Sequence, residues 1–446
     1  MTDRRNLYTT AQPFELGESE RRAYVAASRT LAVRVRTAVA VVGLLALLGG
    51  LVAVGLFTPA SGGELDTVWV SDTPRETQSN HHAVGVAGDV IVAPVAEAPG
   101  VEAGMSNTSC SLVRLAPADG TVSWRDGVPA ADCFTHALTE PAIGDVDGDG
   151  DAEAVVATTE NALIAHDADT GREEWRVPLR TYGYGRPTVA DVTPAPGPAV
   201  IVSDITGGVV VAHGNGTVAW RVQLNGTVWQ RLSVWSAPIV TDADADGDPE
   251  ILLGTSRGPV ALSATGEVAW SRDGSATYAT AAQVDDDPAV ELFTGGSDGL
   301  AAYDGRNGST EWSRSLPNAR VRTAADGDGD GQVELYVGVP GGDVIAVDAA
   351  TGETEWSTTL AGESDPIVPA PVVGDVDGDD RPEVVAALGS GTVTVLDPTS
   401  GAELAASERS VPIWTMPSLA DLDDDGDVEV LVRYGDGRVV ALDYTN

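Results

Sequence analysis

The chain has 446 residues, with 67 acidic and 26 basic side chains and a formal net charge of −41; every basic residue is arginine. A surface this acidic repels nucleic acid and anionic lipid, so neither is an expected partner. Hydrophobic residues make up 43% of the chain and fall in regular runs, which excludes wholesale disorder.

Residues 1–36 carry seven arginines against four acids, and residues 37–57, TAVAVVGLLALLGGLVAVGLF, form an uncharged apolar run. A run of that length spans a bilayer as a helix. The arginine-rich flank places residues 1–36 in the cytoplasm and the remainder outside the cell membrane. The competing reading is a cleaved signal peptide with a small-residue site near Ala60, but signal peptides have apolar cores of only about 7–15 residues. The expected organisation is a cytoplasmic segment (1–36), a transmembrane helix (37–57), a linker (58–63) and an extracytoplasmic domain (64–446). Two features agree with an outside location. Cys110 and Cys133, the only cysteines, can form one disulfide, with two buried thiols as the alternative. Asn107, Asn215, Asn225 and Asn307 each begin a glycosylation sequon.

The acidic residues past the anchor are not spread evenly. DVDGDGDAE starts at Asp145, and the pattern D-x-D-x-D-G-x-x-E returns as DADADGDPE, DGDGDGQVE, DVDGDDRPE and DLDDDGDVE. The carboxylates of each loop repel one another unless a hard cation gathers them, and Ca²⁺ takes six to eight oxygens. The expected ligand sets are Asp145, Asp147, Asp149, Asp151 and Glu153; Asp242, Asp244, Asp246, Asp248 and Glu250; Asp326, Asp328, Asp330, Gln332 and Glu334; Asp375, Asp377, Asp379, Arg381 and Glu383; Asp421, Asp423, Asp425, Asp427 and Glu429. The seventh position of each loop contributes its backbone carbonyl. That makes up to five structural Ca²⁺ sites. An EF-hand would need Glu at position twelve and flanking helices; the first loop has Val156 there, followed by strand-like sequence. A decayed copy starts at Gln283, and at Asp191 the position survives without its ligands.

The seven starts are 46, 51, 41, 43, 49 and 46 residues apart, a period that marks propellers and solenoids. Interleaved with them is G-x-x-x-W, ending at Trp124, Trp175, Trp220, Trp270, Trp312 and Trp356; Ala405 stands in the seventh place. Apolar runs with period-two alternation precede each glycine and read as strands. Each unit is then four antiparallel strands, the composition of a propeller blade. An eighth unit, without an acidic loop, precedes the others and includes HHAVGVAGDVIVAPV. The last unit lacks its fourth strand, and ELDTVWVSD at 64–72 is the expected replacement. It closes the ring and removes the open sheet edges. Eight blades over residues 64–446 average about 48 residues each.

The acidic loops resemble FG-GAP/VCBS-type calcium repeats. The G-x-x-x-W strands resemble the tryptophan-docking repeats of PQQ-like eight-bladed propellers. Together the two motifs cover nearly all of 64–446. The resemblance implies an all-β eight-bladed propeller with inter-blade tryptophans, and it leaves function open, because propellers host many activities. The acidic, lysine-free composition in turn resembles that of proteins from extreme halophiles, where molar salt screens the repulsion.

Just ahead of the acidic loops the repeats stop agreeing. Pro141, Pro187, Pro238, Pro371 and Pro417 recur, but Glu140, Tyr184, Arg186, Trp235, Tyr278 and Trp414 differ from blade to blade. They are expected on the innermost strands, near the axis, as a candidate ligand face. No catalytic constellation stands out. His81, His82, His136, His166 and His213 are scattered in sequence, and no G-x-S-x-G, P-loop or C-x-x-C occurs. The expected function is a monomeric cell-surface scaffold that binds a protein or glycan partner. The alternatives are a PQQ-dependent dehydrogenase and a calcium-bearing polysaccharide lyase.

Overall fold

The computed structural model describes residues 63–71, 81–97, 109–134, 136–224, 232–360 and 367–445. The proposed transmembrane helix lies outside them, as do Asn107 and Asn225. Among the described residues no helix is long and apolar enough to cross a membrane.

The described chain is thirty-two strands in eight four-stranded antiparallel sheets. Seven sheets are built from four consecutive strands. The first of these, blade I, begins with Gly85–Ala87 and ends with Val122–Val128. Blade II runs from Ala142–Gly144, blade III from Thr188–Ala190, blade IV from Ile239–Thr241, blade V from Tyr278–Ala282, blade VI from Arg320–Ala325 and blade VII from Val372–Gly374. Blade VIII joins the two ends of the domain: Ser418–Ala420, Glu429–Arg433 and Val439–Thr445 are completed by Glu64–Val70. Glu64 pairs with Thr445 and Val70 with Val440.

The middle strands are not amphipathic, although their sequences alternate in places. Every residue of Glu153–Thr158 and of Glu334–Val339 is buried. The reason is that each blade packs on a neighbour across both faces, so both side-chain sets enter a core. The apolar clusters accordingly run between blades; one joins Val155 and Leu163 of blade II to Val200 and Val210 of blade III. The outermost strands alternate, as Thr354–Thr359 does, because their outer edge meets solvent.

Tryptophans dock every blade but VII, where Ala405 stands, against the next. Trp124 of blade I donates its indole N–H to the Ala168 carbonyl of blade II at 2.7 Å, and Trp220, Trp270, Trp312 and Trp356 make the same contact to the blade after their own, whereas the Trp175 indole N–H has no partner. The glycine of the next G-x-x-x-W lies beneath the ring. At Gly352 φ is +74°, and a Cβ would come within 2.8 Å of the Trp312 ring. Gly352→Ala is therefore expected to destabilise the protein by about 2 kcal/mol or more, from the left-handed backbone and a displaced indole together. Denaturant unfolding measures it, and an unchanged midpoint would refute this account of the motif. Trp69, on the closing strand, takes the same part for blade VIII, with its N–H on Pro117 O at 2.7 Å and its ring over Gly120.

A one-residue bulge precedes each docking residue. Trp356 pairs with Ala346 and Thr354 with Val347, which leaves Glu355 unpaired. Glu174 and Glu311 are displaced in the same way. A bulge re-aims its side chain, and in these blades it turns a glutamate toward the acidic loop.

Candidate functional site

Two sets of side chains have the composition of sites: the acidic loops and the ring axis.

In the first loop, the two carboxylate oxygens of Asp145 accept N–H bonds from Gly148 and Gly150. Asp147 accepts from Asp149, and Asp149 from Asp151. The chain thereby curls around its own carboxylates. Glu153 starts the second strand, is 2% exposed, and accepts from Val146 N–H at 2.8 Å. The other four loops repeat this bond to Glu250, Glu334, Glu383 and Glu429. One oxygen each of Asp145, Asp147 and Glu153 falls within 4.8 Å of the others, as do those of Asp242, Asp244 and Asp246, of Asp326, Asp328 and Glu334, and of Asp375, Asp377 and Asp379. That spacing suits oxygens on one Ca²⁺, each at 2.3–2.6 Å. Burial and the neighbouring aspartates push the Glu153, Glu334, Glu383 and Glu429 carboxyls up to about 7, and Glu250 rises as well. These are carboxylates short of a positive partner. The decayed copy keeps more than its sequence promised: Asp285, Glu291 and the bulged Glu311 gather within the same distance. The bulge residue is a ligand candidate that the D-x-D-x-D-G-x-x-E pattern omits, and the Glu directly before Trp in GREEW, GSTEW and GETEW is its trace in the sequence.

At the axis lies a cavity of about 400 Å³. All six expected ligand-face residues, Glu140, Tyr184, Arg186, Trp235, Tyr278 and Trp414, line it. Only Tyr278 is on an innermost strand; the others sit on the segments leading into those strands, because the strands themselves are as short as three residues. Arg320 and Arg322 of blade VI also line the cavity. Arg322 occupies the place where other blades carry proline, and a register shift between Val321 and Thr323 makes it a bulge residue.

Glu140 organises the polar side. It is 8% exposed and accepts both Arg322 Nη1 and Nη2 at 2.9 Å, a forked pair between blades II and VI. Arg186 of blade III approaches the same carboxylate at 3.4 Å. Arg320 lies 5.7 Å from the Tyr278 ring centre and makes no salt bridge among the described residues. Two arginines thus share one carboxylate, and a third stands in the same cavity, in a protein that is strongly acidic overall. The aromatic side is continuous. Tyr184 meets Trp235 edge-on at 4.8 Å and His82 at 4.7 Å, and Trp235 is 37% exposed. Burial pushes the Tyr184 hydroxyl up to about 12, so it stays protonated as a donor.

Three of the five histidines come together in space, while His166 lies against Asp126 instead. The His136 ring centre lies 4.7 Å from that of His81 and 5.4 Å from that of His82. Burial pulls His82 well below the ordinary imidazole range and His136 down to about 4. Sequence reasoning missed this group because its members come from the approach to blade I and from the crossing between blades I and II, 54 positions apart. Cys110 and Cys133 are disulfide-bonded with Cα atoms 5.4 Å apart. The bond ties the crossing that carries His136 to the third strand of blade I. Of the sequons, Asn215 and Asn307 lie in exposed turns.

Blades of this form, docked by tryptophan and closed by a strand from the N-terminal end, define an eight-bladed β-propeller with an axial cavity. The family model described as outer membrane protein assembly factor BamB, a PQQ-type repeat, matches residues 108–260, 190–335 and 329–446. The chain belongs to this family of PQQ/BamB-type propellers. No curated protein matches the sequence. Among solved structures, BamB from Moraxella catarrhalis is 18% identical with a TM-score of 0.57, over 85% of this chain and 99% of that one. The quinohemoprotein alcohol dehydrogenase from Comamonas testosteroni is 13% identical with a TM-score of 0.60, over 85% and 76%. The V. cholerae biofilm matrix protein Bap1 is 12% identical with a TM-score of 0.59, over 86% and 91%. At these identities the likeness is one of fold alone.

Proposed function

We propose that the chain is a membrane-anchored, extracytoplasmic binding propeller, stapled by Ca²⁺, that captures a protein or glycan partner at its axial face. The axial cavity carries the reading: aromatic planes stand beside arginines at the positions where the repeats diverge. Trp235 and Tyr278 offer stacking surfaces. Arg320 and Arg186 offer charged donors to a carboxylate or sugar oxygen. The apolar run at 37–57 with its arginine-rich flank supports the anchor and the outward orientation. Calcium is supported by the spacing and unbalanced charge of the loops; bound there, it would hold neighbouring strands without chemistry.

The dehydrogenase alternative fits this cavity poorly. PQQ, a tricarboxylate, would find arginines here, but its quinone needs a Ca²⁺ alongside. Glu140 is the only carboxylate among the described lining residues, and it is committed to Arg322 and Arg186.

The test is capture of partners from cell-surface protein and glycan preparations, in molar salt with Ca²⁺. Trp235→Ala, Trp414→Ala and Arg320→Ala are each expected to weaken capture at least about tenfold, the scale of a central contact residue, with the unfolding midpoint retained. Capture that ignores all three changes would move the site off the axis. Stoichiometric PQQ binding with dye reduction by alcohols or sugars would replace the scaffold by the dehydrogenase.

A further inference from the structure

We infer that His81, His82 and His136 form a transition-metal site at the border of the axial cavity. The site is independent of whichever partner the propeller captures.

The first support is geometric. Two imidazoles bonded to one tetrahedral ion at about 2.0–2.1 Å have ring centres about 5 Å apart. The observed separations are 4.7 Å for His81 and 5.4 Å for His82, both measured to His136. The rings meet at 42° and 81° rather than stacking flat.

The second support is unsatisfied bonding. His82 is 7% exposed, and its Nε2 has no hydrogen-bond partner; the same holds for the buried Nδ1 of His136. A buried ring nitrogen without a partner is costly, and two such atoms in touching residues call for a shared occupant. The third support is space. A separate void of about 20 Å³ is bounded by all three imidazoles, Cys110 and Arg433, and it has room for one ion or one water.

The donor set selects the ion. Three neutral imidazole nitrogens suit Zn²⁺, Cu²⁺, Ni²⁺ or Co²⁺ and offer nothing to Ca²⁺ or Mg²⁺, which take oxygen. Arg433, whose guanidinium donates to the His82 carbonyl at 2.6 Å, sharpens that choice. Its positive charge repels a cation held by charge alone, so an ion there depends on directed bonds from the imidazole nitrogens. His136 is held at φ 69°, a left-handed conformation uncommon outside glycine. The disulfide at Cys133, three residues away, keeps that segment in place. His81 and His82 also face the axial cavity, so an ion with three protein ligands keeps its remaining position next to that space.

The experiment uses the purified full-length protein, stripped by a chelator and then kept in excess Ca²⁺ so that the acidic loops do not compete. Co²⁺ is titrated and read by its visible d–d absorption; Zn²⁺ is then added and counted by elemental analysis. One equivalent of Co²⁺ with d–d bands, displaced by one equivalent of Zn²⁺, is expected. His81→Ala and His136→Asn are each expected to weaken Zn²⁺ binding by more than the roughly 10–100-fold that loss of an outer-shell partner costs. Asn tolerates the left-handed backbone. His81 is only partly buried, so its variant keeps the test valid if the other does not fold. Absence of the d–d bands and of a Zn²⁺ equivalent in the Ca²⁺-loaded protein would mean that a water fills the void, and would overturn the assignment. Undiminished Zn²⁺ affinity in both variants would overturn it equally.

Discussion

A protein that starts at residue 73 is expected to lose its ring. The missing segment supplies the whole outer strand of blade VIII, paired from Glu64 with Thr445 to Val70 with Val440. Beyond the strand, the Ser71 N–H donates to Val439 O at 2.9 Å, and Ser71 Oγ accepts from Val439 N–H at 3.0 Å. Without it, Val439–Thr445 becomes a bare edge, open to pairing with another chain. The seam to blade I also loses Trp69, which is 6% exposed and seated on Gly120. Trp69→Ala alone is expected to cost about 3–5 kcal/mol, as large aromatic truncations in packed interiors do. The truncated protein should associate in sedimentation and be cut by proteases within blade VIII. A protein starting at Thr73 that stays monomeric and unfolds at the same midpoint would refute the closure.

Chelation is expected to have the second large effect. A cation that binds only the folded state, at a free concentration 100 times its dissociation constant, stabilises it by about 2.7 kcal/mol per site. Five such sites would together rival the roughly 5–15 kcal/mol that holds an ordinary domain folded. Removing Ca²⁺ at constant high salt should therefore lower the melting temperature by many degrees, and restoring it should reverse the change. Asp147→Ala or Asp423→Ala should forfeit one site's share and reduce the bound calcium by one equivalent. A melting curve indifferent to chelator, with no calcium in elemental analysis, would end the calcium reading and leave the loops as solvated turns.

Much of the ring was legible because its information is local and repeated. The period of the acidic loops counts the blades, and G-x-x-x-W announces both a docked indole and the glycine that seats the indole of the blade before. Even the displaced strand 64–72 betrayed itself, because the last repeat ran out before its tryptophan and the first residues of the domain contained one. What stayed hidden depends on contacts between blades. Glu174, Glu311 and Glu355 look like ordinary outer-strand residues until a bulge turns them toward the acidic loops. Arg322 joins the axial face because a register shift re-aims it and Glu140, 182 positions away, holds it. The histidine group needs the crossing between blades I and II to fold back, which no spacing rule encodes. Alternation likewise misled for the middle strands, where neighbours cover both faces.

The closing strand also sets a clock. Glu64 is made early, yet the residue it pairs with is 381 positions later. At about 5–20 residues per second of synthesis, roughly 20–75 s separate the two. Throughout that interval the growing propeller is an open arc with an unpaired edge at its leading blade, and no shortened product can become a ring. Completion of the fold is thus tied to the arrival of the last few residues. A chain that ended before Val439 would leave Glu64–Val70 without its partner strand.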